Sequence, residues 1–182
     1  MSKKVYIFLA DGFEDIEGLM VVDLMRRAGI DIKTVSIKAE KDIVTSHGIP
    51  MRCDILFSDT DFSDADMLVL PGGMPGTKHL RECVHLCDLL RVHYQKGTLL
   101  AAICAAPSVF SGLGFLKGRA ATSYPSVRPQ IDAARYLEDS VVVDGSITTS
   151  RGLGTAGEFA LALIRQLMGE AAAEDIRNSV IM

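Results

Sequence analysis

Short apolar runs alternate along the chain with longer stretches in which apolar residues recur at helical spacing, the pattern of a mostly parallel sheet covered by helices on both faces. Val5–Leu9 reads as the first strand, Asp15–Arg27 as a helix stopped by Gly29, and Ile32–Ile37 as the second strand. Ile43–Thr45 and Ile49–Cys53, flanking Ser46, His47 and Gly48, predict a short hairpin. Met67–Leu70 reads as a buried strand running into Pro71, Gly72 and Gly73. A helix is expected from about Glu82 to Gln95, and Leu99–Ile103 is a further strand. Pro107 suits the first turn of the next helix. Val141–Val143 and Ile147–Thr149 are short strands joined at Asp144 and Gly145, a favourable hairpin turn. Ala156–Met168 and Ala171–Asn178 are helical in pattern. The class is α/β, and 182 residues without a repeat or linker are expected to form one domain over 1–182.

The strand Leu99–Ile103 ends at a thiol, Cys104, followed by Ala105, Ala106 and Pro107. A strand that turns sharply into a helix exposes the turn residue above the sheet, and only small neighbours let the backbone pass, so the segment has the form of a nucleophile elbow. The amides and positive end of the following helix are expected to favour the thiolate. The alternative is a buried cysteine packed as a small hydrophobe.

Two other loops should meet Cys104, because sites in open α/β sheets form at the carboxyl ends of strands. Gly72 and Gly73 lack side chains, so their amides can approach a ligand and, with the Ala105 amide, form an oxyanion hole; an ordinary Pro-Gly turn is the plainer explanation. On a helical wheel Glu17 falls beside Met20, Val21, Leu24 and Ala28, whereas Asp23, Arg26 and Arg27 cluster on another side. An apolar setting raises a carboxyl's pKa and makes Glu17 a candidate acid/base, the alternative being a boundary glutamate whose head reaches water. Glu14 and Asp15 suit the first helical turn. His79, Cys83 and Cys87 are spaced by four, but a helix beginning after His79 and the lack of a fourth ligand argue against a metal, and none is expected. The Gly152-Leu153-Gly154 loop beside Arg151 falls short of a phosphate-binding motif.

Composition narrows the function further. Hydrophobic residues make up 48% and charged residues 23%, which argues against a disordered or membrane-embedded chain. A net charge of −4 without a dense Lys/Arg block offers nothing to nucleic acid or anionic lipid. The apolar run before Asp11 is shorter than a secretory signal core, and Cys53, Cys83, Cys87 and Cys104 need no disulfide scaffold, so a reducing cytoplasm is the expected compartment.

Taken together, Leu9-Ala-Asp-Gly-Phe-Glu-Asp-Ile-Glu17, Leu70-Pro-Gly-Gly73, Ala101-Ala-Ile-Cys-Ala-Ala-Pro107 and Thr149-Ser-Arg-Gly-Leu-Gly-Thr155 resemble the ThiJ/PfpI superfamily. Within it the chain is most similar to the Parkinson-associated protein deglycase branch and its bacterial ThiJ-like relatives, over essentially its whole length. The resemblance implies a flavodoxin-like three-layer α/β/α sandwich, usually a homodimer, with Cys104 as nucleophile, Glu17 as its protonated partner, and backbone donors at Gly73 and Ala105. It implies cofactor-independent action on reactive dicarbonyls such as methylglyoxal and glyoxal, or on their early adducts with proteins and thiols. A redox-responsive protective protein or chaperone with an oxidisable Cys104 is the alternative from another class. A peptidase ranks last, because Ala105 follows Cys104 where peptidase-like relatives carry a histidine. Tyr124 stands where many deglycase relatives have a histidine; with Arg27 it is a candidate contact to substrate or thiolate. Leu153 replaces a proline common in such loops.

Overall fold

The computed structural model describes residues 2–182. The chain begins with β1 (Lys4–Leu9), α1 (Asp15–Arg27) and β2 (Asp31–Ser36), then a hairpin of β3 (Asp42–Val44) and β4 (Pro50–Arg52), followed by β5 (Ile55–Leu56) and β6 (Met67–Leu70). It continues through α2 (Gly76–Glu82), α3 (Val84–Lys96), β7 (Leu99–Ile103), α4 (Pro107–Gly112), β8 (Ala120–Ala121) and β9 (Arg135–Tyr136). Next come β10 (Val141–Asp144), β11 (Ile147–Ser150), α5 (Ala156–Met168) and α6 (Glu170–Ser179). The seven-stranded central sheet has the order β10-β11-β7-β6-β1-β2-β5 and is parallel except for β10 against β11. Among the described residues, no helix is long and apolar enough to cross a membrane.

Alternation along the strands builds a core on each face. Val5, Ile7, Leu9, Val69, Ala101 and Ile103 face one core with α1 and α5, while Tyr6, Phe8, Leu68, Leu70, Leu100 and Ala102 face the other with α3 and α4. Because both faces are covered, central strands are apolar throughout, as the run of five buried residues after Lys4 illustrates. Phe8 is fully buried and packs its ring against Phe57 and Phe62, so truncation to alanine there carries a cost of about 3–5 kcal/mol.

The expected α/β class and main strands are present, with local differences. The single helix expected from about Glu82 to Gln95 is preceded by α2 and separated from it at Cys83, which is extended (φ −76°, ψ 97°) and both closes α2 and opens α3. His79 therefore belongs to α2, and the i, i+4 spacing of His79, Cys83 and Cys87 does not form one helical face. The two-residue strands β5, β8 and β9 and the 3₁₀ turn Pro125–Gln130 were not in the pattern, because so few residues establish no period.

Candidate active site

Strand order reverses beside β1: the chain passes from β1 to β2 on one side and returns as β6 on the other. That arrangement brings the loops after β1, β6 and β7 together at the carboxyl ends of adjacent parallel strands, where such folds open a crevice. The three sequence motifs meet there.

The loop after β1 is held by its neighbours. The Gly12 amide donates to the Val44 carbonyl (2.8 Å), the Ser46 amide to the Phe13 carbonyl (2.8 Å), and the Glu14 amide to the Gly72 carbonyl (2.9 Å). The Glu14 side chain then caps α1 by accepting from the Glu17 amide at 2.7 Å. This fixes the first turn of α1 against the sheet and points Glu17, 1% exposed, inward.

Cys104 lies at φ +64°, a region disfavoured for a residue with a Cβ, at the sharp turn between β7 and α4. Its amide donates to the Ser150 carbonyl (2.9 Å), and its own carbonyl accepts from the Tyr124 amide (2.8 Å), so the strained turn is clamped on both sides. The Gly73 and Ala105 amides favour the charged form of the Cys104 sulfur, and the thiol and the Glu17 carboxyl each shift the other's titration. Gly72 differs from its expected role: its amide donates to Glu17 Oε2 at 3.0 Å, so it positions the carboxyl instead of joining the donors around sulfur. Its lack of a side chain is a packing requirement as well. A Cβ there would stand 2.5 Å from Cys104 Cβ, 2.5 Å from Glu17 Oε2 and 3.0 Å from Sγ.

Electrostatics follow from burial. Glu17 is pushed from the usual 4.5 to about 7, chiefly by burial and further by the nearby Glu14 charge, while hydrogen bonds from Cys104, Gly72 and Leu153 pull it down. Cys104 corrects an expectation: the thiol is not lowered but pushed up to about 12, first by burial and then by the Glu17 charge and hydrogen bond. The Gly73 and Ala105 amides offset this only in part, and α4 is a helix of six residues with few aligned dipoles. The Glu17 contribution reverses when the proton sits on the carboxyl, because the charge is then gone and an O–H faces sulfur. Thiol and carboxyl therefore titrate as one coupled pair.

Tyr124 is half exposed, and its ring lies 3.3 Å from where a Cβ on Gly152 would stand, with Glu17 Oε1 3.8 Å from the same point. Tyr124, Pro125 and Arg151–Thr155 line a hollow of ≈ 280 Å³ beside the pair. Arg27 is elsewhere: at the far end of α1, about 15 Å of helix rise from Glu17, its guanidinium sits on Asp23 at 2.6 Å. As a contact to the thiolate within this chain it is excluded. Leu153 was missed as a site residue. Its amide acts to lower the Glu17 pKa, an influence that a proline at that position lacks.

For metals, Glu14, Asp15 and His47 place one ligand atom each within 4.8 Å of one another, a grouping that joins α1 to the hairpin and carries no sequence spacing. His47 Nδ1 and Asp15 Oδ2 already bond each other at 2.6 Å, which accounts for the cluster as an anchor of the hairpin. His79 Nδ1 donates to the Asp11 carbonyl (3.0 Å) and the Cys87 thiol to the Arg81 carbonyl (3.4 Å).

Sheet order and site together define an α/β protein with a cysteine at a strand-to-helix elbow and a buried acidic partner. The chain belongs to the DJ-1/PfpI family, whose match covers residues 3–166. It is 38% identical to Protein DJ-1 homolog B of Arabidopsis thaliana over all of this chain and 42% of that protein, so it spans less than half of the plant relative. It is 31% identical to the glutathione-independent glyoxalase DJR-1.2 of Caenorhabditis elegans, over 86% of this chain and 83% of that one. The solved structure of oxidized Toxoplasma gondii DJ-1 superposes with a TM-score of 0.95 at 34% identity, covering 99% of this chain and 98% of the other.

Proposed function

We propose that this protein is a cysteine-dependent, cofactor-independent enzyme that converts reactive 2-oxoaldehydes, such as methylglyoxal and glyoxal, or their early protein and thiol adducts, to hydroxy acids. One observation carries the proposal: a thiol and a carboxyl raised toward neutral pH both lie against Gly72, with the Gly73 and Ala105 amides favouring the charged sulfur. A relative named as a glyoxalase supports it.

The chemistry runs in balanced steps. Glu17, as carboxylate, takes the Cys104 proton while sulfur attacks the aldehyde carbon, forming a C–S bond and an oxyanion that the Gly73 and Ala105 amides stabilise. Glu17 passes that proton to the oxygen, which gives a hemithioacetal and leaves Glu17 a carboxylate again. Glu17 then removes the proton from the former aldehyde carbon, giving an enediolate, and returns it to the neighbouring carbon while the hydroxyl proton of the first carbon passes to the second oxygen, which leaves a thioester. Water cleaves the thioester to the hydroxy acid and restores the thiol, so methylglyoxal plus water gives lactate with no redox partner. Exchange of one proton between sulfur and carboxyl is what the coupled pair supplies. Tyr124 and Leu153 border the space for the substituent.

The test is chromatographic measurement of lactate from methylglyoxal in thiol-free, amine-free buffer. Formation is expected in the wild type, abolished in Cys104→Ala and reduced about a hundredfold or more in Glu17→Gln. Absence of lactate from folded, reduced protein overturns the proposal. A second reading, a redox-protective protein, is favoured by the same amides, which would also hold oxygens added to sulfur. Intact-mass analysis after mild peroxide should then find Cys104 oxidised ahead of Cys53, Cys83 and Cys87.

A homodimer is part of the proposal. Ile16 and Leu19, one turn apart on α1, and Val44 and Ile49 on the hairpin docked to the preceding loop are exposed apolar side chains that a second copy would cover.

A further inference from the structure

A second cleft, of ≈ 900 Å³, opens at the β2–β5 edge of the sheet, with β1 and β6 between it and Cys104 in strand order. It lies between the chain leaving β5 and the first half of α3. Its volume falls in the range of small-molecule pockets.

Two features define what it can hold. Its wall is apolar and aromatic: Phe57, Phe62, Leu89 and Val92 line it, with the Phe57 and Phe62 ring centroids 5.2 Å apart. Its polar groups are Ser58, Thr60, His85, Lys38 and three carboxylates, Asp59, Asp61 and Asp88, so acidic side chains outnumber the one lysine. Lys38, the cation at the rim, is already occupied by Asp11 at 2.8 Å and Glu40 at 2.9 Å. Asp88 has Arg91 at 2.7 Å. Asp59 and Asp61 are different. Asp59 accepts from the Ser58 hydroxyl (2.6 Å), and Asp61 from the Ser63 amide (2.9 Å) and hydroxyl (2.8 Å); neither makes an ion pair among the described residues. Lys96 influences Asp61 only from beyond ion-pair distance.

An apolar cavity with two uncompensated negative charges at its mouth selects by both criteria at once. Apolar surface entering it leaves water, an attached cation meets the carboxylates and an aromatic face, and an anion of the same shape is repelled. We propose that this cleft is a binding site for a small amphipathic cation, an aromatic or aliphatic body carrying an ammonium or guanidinium group. The site is separate from Cys104 and independent of the chemistry proposed there.

The test uses the full ¹⁵N-labelled chain titrated at constant ionic strength with benzyltrimethylammonium, and with phenylacetate as the anion of similar size. Saturable amide shifts confined to residues 37–39, 56–62 and 83–92 are expected for the cation and none for the anion. The double variant Asp59→Asn, Asp61→Asn alters exposed side chains only. It should keep the wild-type spectrum and weaken the cation about fivefold or more, the loss that two exposed charges can carry. Equal binding of phenylacetate, shifts scattered outside the cleft, or unchanged affinity in the double variant each overturn the proposal.

Discussion

Replacing Glu17 with glutamine should stabilise the protein while removing its proposed activity, and the stabilisation should depend on pH. The carboxyl has its pKa raised from 4.5 to about 7, mainly by burial. In the folded state it therefore keeps a proton that the unfolded chain releases above pH 4.5. Stability from this group is complete below the unfolded value and is lost as pH rises through about 7. At about 1.4 kcal/mol per pH unit, the interval from 4.5 to about 7 corresponds to about 3 kcal/mol. Glutamine carries no charge at any of these pH values, and its carbonyl can accept from the Gly72 amide as Oε2 does. The Glu17→Gln protein and the wild type should thus be nearly equal near pH 4.5 and diverge up to about pH 7. At about 2–4 °C per kcal/mol for a chain of this length, the midpoint of the variant should then be higher by about 6–12 °C. Thermal unfolding followed by circular dichroism from pH 4.5 to 8.5 measures this. A difference that stays constant over that range would refute the reasoning, because the folded and unfolded chains would then release the Glu17 proton at the same pH.

Two further outcomes follow from the same geometry. In Leu153→Pro the amide that lowers the Glu17 pKa is lost, and the start of a 3₁₀ turn tolerates proline. The rise of lactate formation with pH should move to higher pH, with a few-fold loss near neutrality and recovery above it; an unmoved profile sinks the role given to this amide. For the proposed dimer, wild-type protein should sediment as twice its chain mass. Ile16→Glu, which puts a charge on an exposed apolar position, should sediment as a folded monomer; a monomeric wild type removes the proposal.

The sequence by itself determined the alternation of strands and helices, the identity of Cys104 and Glu17 as the reactive candidates, and the glycines beside them. These were legible because they are local: burial on both sheet faces makes continuous apolar strands, a turn at a thiol needs small neighbours, and a helical period places Glu17 on an apolar face. Tertiary structure alone decided which groups touch. Gly72 turned out to hold Glu17, Arg27 proved remote because it sits three turns along the same helix, and Leu153 joined the site through an amide that no side-chain pattern reveals. It also decided the sign at Cys104. A helix dipole can be anticipated from sequence, but burial and a carboxyl brought in from the first turn of α1 outweigh it, and desolvation is a property of the whole fold.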